Sequence, residues 1–124
     1  MKMPTIFYSI FVSTAPTATL TSATNAGVER NTAQFVCKVT GTPTPNITWY
    51  KDSKRLGDSR RYFYVKYPIA NGNGELLRFL YLRSSRHQGN YSGRATNPIG
   101  SSTSKQAFLQ VYRRRGGKSS GSGF

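Results

Sequence analysis

Six cations crowd one stretch of this chain: Lys51, Lys54, Arg55, Arg60, Arg61 and Lys66 lie within sixteen residues. Tyr62, Phe63 and Tyr64 are interleaved with them. Guanidinium groups make forked, charge-assisted hydrogen bonds to anionic oxygens, and ammonium groups add point charges. Such side chains on a stiff aromatic backing suit a sulfated glycan. The competing reading is an ordinary solvated face, because 18 Lys and Arg stand against 4 Asp and Glu, a formal charge of +14. Arg83, Arg86, Arg94 and the run Arg113–Arg115 add to that total.

Other chemistry is sparse. Cys37 is the only cysteine and His87 the only histidine. One cysteine excludes an intramolecular disulfide, a Cys-rich zinc site and a CxxC redox motif. With one histidine and few carboxylates, neither a metal site nor a Ser-His-Asp triad can be assembled. We therefore expect no enzyme, no metal and no cofactor. His87 is expected on a surface turn. Cys37 has the parity of a buried, inert thiol; an intermolecular disulfide would need an exposure which that parity opposes. Two triplets, Asn46-Ile47-Thr48 and Asn90-Tyr91-Ser92, fit the N-glycosylation acceptor pattern, and both Asn have outward parity.

Charge alone points to polyanions: nucleic acid, heparan-type glycans or anionic membranes. Nucleic-acid binding through charge would be salt-sensitive and non-specific, and no recognition motif accompanies it. No segment reaches the ~18–20 apolar residues of a membrane span.

The elements that must carry these residues follow from period-two patterning. Ala33, Phe35, Cys37 and Val39 alternate with Gln34, Val36, Lys38 and Thr40. Gly41-Thr42-Pro43-Thr44-Pro45 turns the chain, and Ile47 and Trp49 share a face of the next strand. Asp52–Ser59 reads as a loop or short edge strand with Leu56 as its core contact. Arg60–Tyr67 reads as an aromatic-rich strand ended by Pro68. Asn71-Gly72-Asn73-Gly74 is a hairpin turn. Leu77 and Phe79 share a face of the following strand, and Leu82 anchors its exit. Tyr91, Gly93 and Ala95 face one way, Asn97-Pro98-Ile99-Gly100 turns, and Thr103–Tyr112 is the last strand with Ala107, Leu109 and Val111 inward. About seven short strands with no helical stretch make a sandwich or small barrel.

Residues 1–26 are expected as leader and linker. Met1-Lys2 and the apolar run to Val12 resemble a weak signal peptide, with Ser13-Thr14-Ala15 or Thr21-Ser22-Ala23 as small-residue cleavage sites. The alternative is a disordered Ser/Thr/Ala/Pro leader. Residues 27–112 form the domain, and residues 113–124 a basic Gly/Ser-rich tail.

Cys37, Gly41-Thr42-Pro43-Thr44-Pro45 and Trp49 resemble the B–C region of an intermediate-set immunoglobulin domain. Gly89-Asn90-Tyr91-Ser92, Ala95-Thr96-Asn97 and Gly100 resemble that set's F strand and F–G turn, and Leu77-Arg78-Phe79 with Leu82 its E strand. The resemblance implies an all-β, Greek-key sandwich of two antiparallel sheets. Trp49 would pack in a core with Phe35, Cys37, Ile47, Leu77, Phe79 and Tyr91, and Tyr91 would form the tyrosine corner. Two positions depart from the family. Gly93 stands where the family has the partner of Cys37, so the inter-sheet disulfide is missing. His87 stands where it has an Asp that would pair with a base such as Arg60 or Arg61. Loss of such a disulfide typically costs about 2–5 kcal/mol. Gly93 is expected to leave a void beside Trp49, and the fold to be marginal.

The basic stretch further resembles the first immunoglobulin domain of the leukocyte-common-antigen-related receptor tyrosine phosphatases, where the equivalent loop binds heparan sulfate. Domains of receptor kinase ectodomains are also similar. The resemblance implies a secreted or cell-surface adhesion or recognition module with protein partners and heparan sulfate as co-ligand. The alternative is a cytoplasmic structural module like those of the giant muscle proteins, which use such domains without disulfides.

Overall fold

The computed structural model describes residues 12–22, 26–69 and 72–113. In chain order the elements are β1 (Thr14–Ser22), β2 (Ala26–Val28), β3 (Ala33–Thr42), β4 (Asn46–Lys51), β5 (Lys54–Arg55) and the helical turn α1 (Ser59–Tyr62). Then come β6 (Tyr64–Pro68), β7 (Gly74–Phe79), the helical turn α2 (Ser84–His87), β8 (Gly89–Asn97), β9 (Gly100–Thr103) and β10 (Ala107–Tyr112).

Two sheets result. One runs β1-β3-β7-β6; the other runs β2-β10-β8-β4-β5, with β9 also on β8. After β3 the chain crosses between sheets from β3 to β4, back from β5 to β6 and again from β7 to β8, which is the Greek-key connectivity of a two-sheet sandwich. All pairings are antiparallel except one: β2 lies parallel to β10, with Val111 opposite Gly27.

Alternation drives the core. In β3, Ala33, Phe35, Cys37 and Val39 are buried while the residues between them are half-buried or exposed. Trp49, Leu77, Phe79, Tyr91, Ala95, Leu109 and Val111 on the other strands, with Leu82 just past β7, complete the core. Ile47 is only half-buried and packs on its margin, as does Leu56. Ring pairs tie the sheets together: Phe35 and Tyr91 lie 4.9 Å apart and Phe79 and Tyr91 5.4 Å. Such pairs add about 0.5–1.5 kcal/mol each beyond their buried area. The Tyr91 hydroxyl donates to the His87 carbonyl, which makes the tyrosine corner.

Several expectations are corrected. Thr14–Ser22, expected as linker, is a strand: Leu20 pairs with Cys37 and Ala18 with Val39, and both apolar side chains pack on the core. The signal-peptide expectation falls chiefly on residues 1–11, which lie outside the described residues, as do residues 114–124 of the tail. Arg60, Arg61 and Tyr62 are not strand but α1. The Asp58 carboxylate accepts the Arg60 N–H at its start, and Phe63 ends it in the left-handed conformation. Local capping outweighs the strand preference of the aromatics there. The last strand is split into β9 and β10 around buried Ser104. Its N–H bonds the Gly93 carbonyl, while its hydroxyl accepts the Gly93 N–H. No void lies beside Gly93, because the Cys37 thiol fills the space.

Candidate functional site

The six predicted cations come from three elements at one edge of the sandwich. The β4–β5 hairpin turns on Asp52 and Ser53, both with positive φ (51° and 67°), a two-residue turn whose twist matches the strands. It carries Lys51, Lys54 and Arg55. The turn α1 carries Arg60 and Arg61, and β6 carries Lys66. All but half-buried Lys51 are exposed.

Two clefts lie among them. One of about 270 Å³ is lined by Lys51, Asp52, Lys54, Arg55, Leu56 and Tyr62. The other, about 130 Å³, is flanked by Arg55 and Lys66 over Trp49 and Tyr64. Arg55 borders both, so the structure brings four of the six cations, Lys51, Lys54, Arg55 and Lys66, onto adjoining hollows. Arg60 and Arg61 stand beside them on α1. Trp49, Tyr62 and Tyr64 supply the aromatic backing; Phe63, expected to share it, faces a third cleft.

That third cleft, about 300 Å³, is lined by Phe63, Tyr81, Arg83, Ser85 and Arg86. The Arg83 guanidinium lies 5.5 Å from the Tyr81 ring centre, and Arg86 Nη1 donates to the Arg61 carbonyl at 3.3 Å. Sequence reasoning counted Arg83 and Arg86 as charge without placing them. The contact that joins Arg86 to Arg61 spans 25 residues and has no local signal. Arg94 lies elsewhere, bonded to Ser101 on β9.

Few anions compensate. Among the described residues one ion pair forms, Lys51 to Asp52 at 2.9 Å. The carboxylates serve the fold instead. Glu29 accepts the Ser84 N–H at 3.0 Å and its hydroxyl at 2.8 Å, and these bonds hold its pKa below the usual range. Asp52 accepts the Asn90 N–H at 2.9 Å, which lowers its pKa with help from Lys51. Asp58 caps α1, and Glu75 accepts the Trp49 indole N–H at 2.6 Å.

His87 is not a surface residue: it is fully buried. Its Nε2–H donates to the Tyr62 carbonyl at 2.7 Å and its Nδ1 accepts the Arg83 N–H at 2.8 Å. The neutral ring therefore ties α1 to α2 and braces the start of β6, without the basic partner an Asp would need. Burial pushes its pKa below the ordinary value. Cys37 is buried and unpaired, and burial raises its thiol pKa to about 11. A thiol with that pKa is a poor nucleophile. Among the described residues no group of three or more His, Cys, Asp and Glu could hold a metal ion. None of their helices is long and apolar enough to cross a membrane.

The two acceptor triplets share one sheet face. Asn46 is exposed and opposes Thr96; Asn90 is half-buried and opposes Phe108.

Comparison with known proteins places these features. Residues 17–111 match the Immunoglobulin I-set domain family. Receptor-type tyrosine-protein phosphatase F of Homo sapiens is 38% identical over 74 residues, 60% of this chain and 4% of that protein. Hemicentin-2 of Mus musculus is 38% identical over 85 residues, 68% of this chain and 2% of that protein. The chain thus spans only a few per cent of the length of these relatives. A solved chimeric titin Z1Z2 superposes with a TM-score of 0.68 at 27% identity, covering 83% of this chain and 99% of that one.

Proposed function

The chain belongs to the immunoglobulin I-set family, and from that premise we propose that it is a non-enzymatic recognition module that binds protein partners. Its setting is secreted or at the cell surface. Heparan-sulfate-type glycan serves as co-ligand along the edge formed by Lys51, Lys54, Arg55, Arg60, Arg61 and Lys66, and Asn46 and Asn90 carry N-glycans. The observation that carries this reading is the set of adjoining hollows rimmed by Lys51, Lys54, Arg55 and Lys66, in which one carboxylate faces four cations. Similarity to the ectodomain part of receptor phosphatases supports it. Nucleic acid would meet the same charge without specificity.

The test is retention on immobilised heparin. The Lys54→Ala/Arg55→Ala/Arg60→Ala/Arg61→Ala variant should elute at clearly lower salt than the parent, with a cooperative melt no lower than the parent's. Equal retention would remove the site.

One observation favours a second reading, a cytoplasmic structural module: Cys37 is buried without a disulfide partner, an arrangement at home in a reducing compartment. Titin-like domains share the fold. Expression in a secretory cell separates the two readings. Glycosylated chain in the medium supports the first; unglycosylated chain in the cytosol supports the second.

A further inference from the structure

Phe108 is 47% exposed, a large ring left in water on the outer face of β10. Its inward neighbour Leu109 is fully buried, and across the sheet Tyr91 is too. Alternation therefore sets Phe108 and Asn90 on the same outer face. They are directly opposed in the β8–β10 register. Opposed residues in an antiparallel pair have Cβ atoms about 4.5–5.5 Å apart. That is the reach of the first sugar on an asparagine. The ring-CH face of a pyranose is apolar and comparable in size to a phenyl ring. Asn46, the other acceptor, has only Thr96 opposite it.

We propose that Asn90 carries an N-glycan whose first N-acetylglucosamine packs its apolar face on Phe108 and thereby staples β8 to β10. This rests on the secretory reading above. The co-reactant is a lipid-pyrophosphate-linked oligosaccharide with its transferase. Asn90 Nδ2 bonds to the sugar C1, the C1–O bond to phosphate breaks, the lipid pyrophosphate leaves and one amide proton passes to base. Ser92, the third residue of the triplet, is 4% exposed in the fold. The transfer therefore precedes folding, on the extended chain. The sugar then covers Phe108, which has no other partner in the sandwich core, and strengthens a pair of strands that lacks a disulfide beside it.

The experiment uses the full chain with Asn46→Gln, sent through mammalian cells by an added secretion signal and held to high-mannose glycans. Intact mass should show Asn90 occupied. Trimming by an endoglycosidase that leaves one N-acetylglucosamine should keep the melting temperature. Complete removal by an amidase should lower it by about 3 °C or more, a shift that a domain of this size registers readily. The amidase leaves a carboxylate at the site, so unglycosylated Asn90→Asp should melt with the fully stripped form, and Asn90→Gln below the trimmed one. Phe108→Ala, or Phe108→Thr should the first fold poorly, should erase the difference between trimmed and stripped protein. An empty Asn90, no shift on stripping, or the same shift without Phe108 would each overturn the proposal. An empty Asn90 with intact heparin retention sinks this inference and the Asn90 glycan with it, and leaves the recognition module and its basic edge standing. Occupancy without heparin dependence on the basic edge does the reverse.

Discussion

Cys37 Sγ lies 2.6 Å from where a Cβ on Gly93 would stand, and Cys37 Cβ lies 3.3 Å from it. That Cβ separation is a few tenths of an ångström under the roughly 3.5–4.5 Å of a disulfide, a gap that a small strand shift opens. The two strands thus keep nearly the spacing of a bonded pair, with the thiol turned into the room that the second cysteine would take. Gly93→Cys should therefore close a disulfide with Cys37. A loop of this length predicts a gain of roughly 4 kcal/mol from restricting the unfolded chain. Denaturation midpoints with and without reductant check it, and equal midpoints would refute it.

The same contact predicts the sign of a smaller change. Gly93→Ala pushes a methyl against the thiol and should cost about 1–3 kcal/mol through overpacking. In a Cys37→Ala background the identical substitution has room and should cost much less. A double-mutant cycle by urea denaturation measures the coupling. Additive effects would show that the thiol does not fill that space.

Trp49 and Glu75 give a second test. The indole N–H reaches across the sandwich to the carboxylate at 2.6 Å, beside the basic edge. Glu75→Ala orphans a mostly buried donor and should cost about 1–3 kcal/mol, whereas Glu75→Gln keeps an acceptor and should cost less. Trp emission during denaturation reads both the stability and the altered indole environment. Equal losses in the two variants would deny the bond a role.

How far the sequence foretold this structure depended on the range of the interactions involved. The strands around Phe35, Trp49, Leu77 and Tyr91 were legible because each buries one face, and period two is a local property. β1 was not, because Thr, Ser, Ala and Pro match linker composition and only pairing with β3 reveals its register. His87 was misplaced on the surface because its burial depends on Tyr62, 25 residues away. The basic edge was legible as a cluster, yet its extension to Arg83 and Arg86 exists only once α1 and α2 meet.

His87 makes the fold sensitive to mild acid. Its folded pKa is held below the ordinary 6.5, chiefly by burial and further by Arg86 and Lys51, although the Tyr62 carbonyl and the Arg83 carbonyl, 3.2 Å from Nδ1, favour the charged ring. The unfolded chain therefore binds the proton first, and stability falls as pH drops through 6.5 towards the folded value. Glu29 and Asp52, also lowered, add a second loss below the ordinary carboxylate values of 4.5 and 3.8. Thermal melts should decline between pH 7.5 and 5.5 in the parent and stay flatter in His87→Gln, even if that variant starts lower. Parallel profiles would clear His87 of the effect.

Stability and glycan binding should answer salt with opposite signs. All four carboxylates are engaged by backbone or side-chain donors, so the formal charge of +14 meets little compensation. Arg60 and Arg61 on α1, Lys54 and Arg55 on β5, and Lys66 on β6 repel one another at the same edge that would attract a sulfated chain. Between about 0.01 M and 1 M salt the screening length falls from about 30 Å to about 3 Å. Added sodium chloride should therefore raise the melting temperature by relieving self-repulsion, while it strips the protein from heparin. A sulfated oligosaccharide at low salt should raise the melting temperature too, because it binds the folded edge. The Lys54→Ala/Arg55→Ala/Arg60→Ala/Arg61→Ala variant should melt higher than the parent at low salt and lose the oligosaccharide response. A parent whose melting temperature is indifferent to salt would show that the cations on this edge are too far apart, or too well hydrated, to act as one site.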